Sequence, residues 1–133
     1  MKRKLPEILM LACGFFMAVL PVMAHHAFAS QFDGNKKITL TGTVTKVEWL
    51  NPHIYIYIDV KENGGKVANW AIEGGSPNGL LRSGWTRNSV QVGDEVTVEG
   101  FPARNGSNLA NMGSVTKAGK KVLGRIEGPE VGR

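Results

Sequence analysis

Ile38-Thr39-Leu40-Thr41-Gly42-Thr43-Val44-Thr45-Lys46-Val47-Glu48-Trp49-Leu50 is the stretch on which the architecture turns. From Ile38 to Val44, Ile38, Leu40, Gly42 and Val44 alternate with threonines, the two-residue period of a strand with one buried face. At Lys46 the phase slips by one, and Val47 and Trp49 carry the pattern onward. Such a slip in a long strand, with Gly42 nearby, predicts a bulge or a strong bend.

Working outward, Asn51-Pro52 is a turn signal, because proline has no backbone N–H to give to a ladder. His53 to Val60 follows as the cleanest strand, with Ile54, Ile56, Ile58 and Val60 on one face and His53, Tyr55, Tyr57 and Asp59 on the other. Asn63-Gly64-Gly65 makes a hairpin turn into a third strand, Lys66 to Glu73, with Ala68, Trp70 and Ile72 inward and Asn69 and Ala71 outward. The period then changes. Ser76-Pro77 offers a hydroxyl N-cap followed by proline, Asn78 to Arg82 makes a short helix, and Gly84 ends it. Glu95 to Phe101 and Leu109 to Lys117 complete the strands, separated by the turn Arg104-Asn105-Gly106-Ser107.

The expected fold is therefore all-β with one short helix, in the order β-β-β-α-β-β of a five-stranded OB-fold-like barrel. A five-stranded sandwich is the competing architecture. Residues 38–118 form this domain, preceded by a polar arm at 25–37 and followed by a flexible, glycine-rich tail at 119–133.

The first 24 residues have the layout of a secretion signal. A basic start, Met1-Lys2-Arg3-Lys4, leads into an apolar run from Ile8 to Leu20, and Val22 and Ala24 stand where a signal peptidase reads small residues. The run is short for a bilayer span, so a periplasmic or secreted protein is expected, with no membrane span after cleavage. Cys13, the only cysteine, lies inside the run, where acylation is not expected and from which cleavage removes it. The formal charge of +5 falls to +3 once Lys2, Arg3, Lys4 and Glu7 are discounted, which is ordinary for a soluble domain and gives nucleic acid no special claim.

The chain also resembles a family of small exported bacterial proteins of unknown function. The likeness is carried by His25-His26-Ala27-Phe28-Ala29, by Gly42-Thr43-Val44-Thr45-Lys46-Val47-Glu48-Trp49 with Asn51-Pro52-His53, and by Gly75-Ser76-Pro77-Asn78 with Leu80-Leu81. That resemblance implies an exported single domain and brings no activity with it.

Two groups of residues could carry chemistry. Cleavage after Ala24 makes His25 the first residue, so that its α-amine and imidazole, joined by His26 or His53, would suit copper or another transition metal. Against this, adjacent histidines on an arm bind metal loosely in many proteins. Alternatively, Asn51, His53, Tyr55, Tyr57 and Asn69 would form an aromatic ligand-binding face, for a glycan, a small ligand or a periplasmic protein partner. Trp49, Trp70 and Trp85 read as core. No nucleophile elbow, phosphate-cradling loop or assignable acid–base pair is present, so catalysis has little sequence support, redox chemistry at an N-terminal copper being the one enzymatic reading left open. Intact-mass measurement of the protein recovered from an exporting host should give a chain that starts at His25. Retention of residues 1–24 would contradict the cleavage expectation.

Overall fold

The computed structural model describes residues 27–123. The signal-like segment, His25, His26 and residues 124–133 lie outside it. Six strands and one helix follow one another: β1 (Ile38–Glu48), β2 (Tyr55–Lys61), β3 (Val67–Glu73), α1 (Pro77–Arg82), β4 (Glu95–Pro102), β5 (Leu109–Lys117) and β6 (Lys120–Leu123). The sheet runs β3-β2-β1-β4-β5-β6, and a parallel pairing of β3 with β5 closes the first five strands into a barrel. This is the OB-fold expected from the strand order.

The barrel closes because β1 serves two partners. Its first half pairs with β4, from Ile38 opposite Gly100 to Thr43 opposite Glu95. Its second half pairs with β2, from Gly42 opposite Val60 to Glu48 opposite Tyr55. Gly42 belongs to both ladders, and a Cβ there would collide with the backbone carbonyl of Asp59. Gly100 on β4 is held in the same way against the carbonyl of Asn111. Both glycines are therefore required by close backbone approach.

The predicted phase slip is a bulge between Val44 and Lys46. Val44 opposes Ile58 and Lys46 opposes Tyr57, so Thr45 is the extra residue. One consequence matters for function. Without the extra residue, Lys46 and Glu48 would fall on the inward phase; with it, they stand beside Tyr57 and Tyr55 on the outer face.

Inside lie Val44, Ile54, Ile56, Ile58, Ile72, Val96, Val98, Ala110, Met112 and Val115, all almost fully buried. Helix α1 plugs one end with Leu80. Ser76 caps it by accepting from the Gly79 amide at 3.1 Å, and Gly84, at φ 92°, turns the chain out of it. Of the three tryptophans, Trp85 is buried and donates through Nε1 to the Val122 carbonyl at 2.8 Å, whereas Trp49 and Trp70 are half-buried against the core.

Two terminal segments depart from expectation. Residues 27–31 of the arm form a helical turn, after which Phe32 is buried and bridges to Ala103. At the other end, Ala118 and Gly119 (φ 49° and 71°) reverse the chain into β6 instead of opening a flexible tail. Val122 of β6 packs on the core, the apolar contact that a reading by glycine content overlooks. Gly42→Ala should lower stability by about 1–3 kcal/mol through steric strain, read as a reduced urea midpoint with an unchanged slope. A midpoint equal to that of the unmodified protein would contradict the close approach.

Candidate binding face

The outer surface of β1, β2 and β3 gathers most of the polar chemistry, and cross-strand register builds it row by row. One transverse row reads Glu48–Tyr55–Glu73, and the parallel pairing extends it to Asn111 and then to Phe101. The next row reads Lys46–Tyr57–Ala71–Leu109. Beyond it come Thr43, Asp59 and Asn69. Side chains facing one another across a ladder share a face, so these rows lie side by side on the outside of the barrel.

Tyr55 and Tyr57 lie stacked at the centre, with ring centroids 6.4 Å apart and planes 29° from parallel. Each ring is tied down by a carboxylate from a different flanking strand. The Tyr55 hydroxyl donates to Glu73 Oε2 at 2.8 Å, and the Tyr57 hydroxyl donates to Glu48 Oε2 at 3.0 Å. Glu73 is buried, with 6% of its surface exposed, and its other oxygen lies 2.9 Å from Nδ1 of His53. Glu48 is also paired with Lys46, whose ammonium sits 5.1 Å above the Tyr57 ring. Two rotatable aromatic side chains thus become a fixed platform.

The electrostatics follow from this arrangement. Lys46 and then Tyr57 donate to Glu48 and hold its carboxyl below the usual carboxylate range, while Glu48 raises the Lys46 ammonium. Burial, and then the hydrogen bond to Glu73, push the Tyr55 phenol up to about 12. Tyr57 is raised in the same direction, first by burial and then by its bond to Glu48.

The residues predicted for this face are placed as follows. Tyr55, Tyr57 and Asn69 share it, and His53 stands exposed at its edge beside Glu73. Asn69 donates to Asp59 Oδ1 at 2.8 Å and to Thr45 Oγ1 at 3.2 Å, so its amide is engaged in fixing the face. Asn51 is exposed in the β1–β2 loop and precedes a cis bond to Pro52. His25 and His26, the predicted metal ligands, lie outside the described residues. Among the described residues no group of three or more His, Cys, Asp and Glu side chains could hold a metal ion.

Sequence reading missed Glu48, Glu73 and Lys46. The signal was available. Glu73 continues the outward phase of Asn69 and Ala71, and the slip at Lys46 moves Lys46 and Glu48 outward as it moves Val47 inward.

The chain has two tyrosines, so Tyr57→Phe isolates Tyr55 for titration by phenolate absorbance. A phenol raised to about 12 favours the folded state. Its contribution is fully present below about pH 10, the ordinary tyrosine value, and is lost as pH rises through the folded value. At about pH 11 Tyr55 should remain mostly protonated while the chain is folded. Half-ionisation near pH 10 would contradict the buried hydrogen bond.

No curated protein matches the sequence. Among solved structures, the fold is similar to a mitochondrial single-stranded DNA binding protein of S. cerevisiae, Rim1. One crystal form is 13% identical, with a TM-score of 0.49, covering 62% of this chain and 93% of that one. A second form is 15% identical, with a TM-score of 0.46, covering 62% and 92%. The N-terminal domain of PriB from Thermoanaerobacter tencongensis is 18% identical, with a TM-score of 0.43, covering 63% and 97%. At these identities the likeness is one of fold. On partners, a glycan, small ligand or protein was favoured and nucleic acid set aside on export and a modest charge; that expectation is corrected, since Rim1 is by its description a single-stranded DNA binding protein. Net charge averages over a whole molecule and says little about what one face can stack against. Among the described residues no helix is long and apolar enough to cross a membrane. A model of the DUF6152 family matches residues 14–112, and the chain belongs to this family of unknown function.

Proposed function

We propose that this protein is an exported binding module whose outer β1–β2–β3 face holds unpaired nucleobases by stacking, either as free bases or within a single strand. The observation that carries the reading is the tyrosine pair: two stacked rings at the centre of the face, each hydroxyl anchored to a carboxylate. The strand 2–3 surface of an OB-fold is its usual ligand face, and unstacked bases have flat faces that aromatic side chains take up. Ala71, between Tyr57 and Leu109 in its row, keeps the floor beside the rings low.

The same face sets the character of the binding. Glu48, Asp59 and Glu73 are hydrogen-bond acceptors that repel phosphate, and Lys46 is already paired with Glu48. Base edges that present N–H donors, such as the cytosine amino group, match acceptors of this kind. Affinity would then come from ring stacking more than from counterion release, and its salt dependence would be shallow.

Calorimetric titration with a short single-stranded deoxycytidine oligonucleotide and, separately, with free cytidine tests this. Tyr55→Ala and Tyr57→Ala should each weaken binding by about 1–3 kcal/mol. Equal affinity per base for both ligands identifies the lone base as the unit bound, and binding of the oligonucleotide alone identifies the strand. No binding of either, or binding indifferent to both substitutions, would overturn the reading.

A further inference from the structure

We propose that Asn63, at the tip of the β2–β3 hairpin, is a site of spontaneous deamidation, and that the fold protects the other asparagine–glycine pairs. The inference is independent of what stacks on the tyrosines. Asparagine followed by glycine occurs three times, at Asn63-Gly64, Asn78-Gly79 and Asn105-Gly106. Glycine has no Cβ, so it least obstructs attack of its own backbone nitrogen on the preceding side chain. The three pairs are equivalent in this respect, and only their surroundings can separate them.

The reaction is an acyl transfer whose one co-reactant is water. The Gly64 nitrogen loses its proton to base, attacks Asn63 Cγ and closes a cyclic succinimide. The Cγ–Nδ2 bond breaks, and ammonia leaves with the proton. Water then adds to either ring carbonyl. Breaking the new N–Cγ bond gives aspartate, and breaking the bond to the main-chain carbonyl gives isoaspartate. Either product carries a carboxylate where an amide stood, and so a negative charge at neutral pH. Closing the ring requires an unengaged side chain, an unengaged amide and a backbone free to turn between them.

The hairpin meets these requirements. Every residue from Lys61 to Val67 is exposed. The Glu62 amide donates to the Lys66 carbonyl at 2.7 Å, and the Gly65 amide donates to the Glu62 carbonyl at 3.2 Å. Neither bond uses the Gly64 amide, and among the described residues neither that amide nor the Asn63 side chain has a hydrogen-bond partner. Gly64 and Gly65 have φ of 89° and 83°, and beyond their neighbours no atom lies within 4 Å of where a Cβ on either would stand.

The other two pairs are held. Asn105 is equally exposed, but its Oδ1 accepts from the Ser107 amide at 3.0 Å and the Ser107 hydroxyl at 2.7 Å. The Gly106 amide donates to the Ala103 carbonyl at 3.3 Å. Asn78 lies in α1, and the Gly79 amide donates to the capping Ser76 Oγ at 3.1 Å, so ring closure there would unwind the first turn. The new carboxylate at residue 63 would stand between Lys61 and Lys66, neither of which is in an ion pair among the described residues.

The test is incubation of the purified protein in mildly alkaline buffer, folded or in urea, followed by tryptic peptide mass mapping. Lys61 and Lys66 bound Asn63, so trypsin releases residues 62–66 as one peptide. In the folded protein Asn63 should deamidate at least about tenfold faster than Asn78 and Asn105, the factor that one or two lost hydrogen bonds imply. In urea the three rates should converge. Asn63→Gln should remove the acidic species seen by isoelectric focusing and leave the far-UV circular dichroism unchanged. Equal rates in the folded protein, faster reaction at Asn78 or Asn105, or a preference for Asn63 that persists undiminished in urea would each overturn the proposal.

Discussion

A single extra residue, Thr45, decides what the outside of this barrel is made of. Up to Val44 the strand keeps its inward aliphatic and outward threonine pattern; past the bulge, Val47 turns inward and Lys46 and Glu48 turn outward. Glu48 then meets Tyr57, and the Tyr57 ring takes a fixed position beside Tyr55. The bulge also bends β1, and together with the close approach at Gly42 it lets one strand pair with β4 and β2 in succession. The bend of β1 and the composition of the barrel's outer face therefore both depend on one local irregularity.

The aromatic pair on that face is anchored by acids. Glu73 is buried, with one oxygen accepting from the Tyr55 hydroxyl and the other 2.9 Å from Nδ1 of His53. A buried carboxylate is costly unless its lone pairs are used, and here their use holds an aromatic ring and an imidazole at one end of the platform. Glu48 does the same at the other end with Tyr57 and Lys46, in a more solvated setting. Asn69 holds Asp59 and Thr45 in the row beyond. The rings are pre-ordered, so a ligand that stacks on them incurs little side-chain ordering cost.

Much of the fold could be read along the chain because its determinants are local and periodic. Ile54, Ile56, Ile58 and Val60 are buried as their alternation requires, Ser76 and Pro77 start the helix, and the slip at Lys46 is a true bulge. What escaped was non-local. Phe32 reads as part of a polar arm until Ala103 and Phe28 are seen beside it. Strand β6 reads as a tail because glycine and lysine mask the contribution of Val122. Tyr55 and Tyr57 were recognisable from strand phase, but their partners Glu73 and Glu48 come from two other strands, and only cross-strand register brings them together.

The central claim is that ligands bind on the outer β1–β2–β3 face through the anchored tyrosine pair. Amide chemical-shift mapping of the isotopically labelled protein during addition of a single-stranded oligonucleotide addresses it most directly. The account predicts shifts concentrated at Lys46, Tyr55, Tyr57, Asn69, Ala71 and Glu73, with the opposite wall of the barrel unchanged. Shifts confined to α1, the β2–β3 hairpin or β6, with these six amides still, would contradict it.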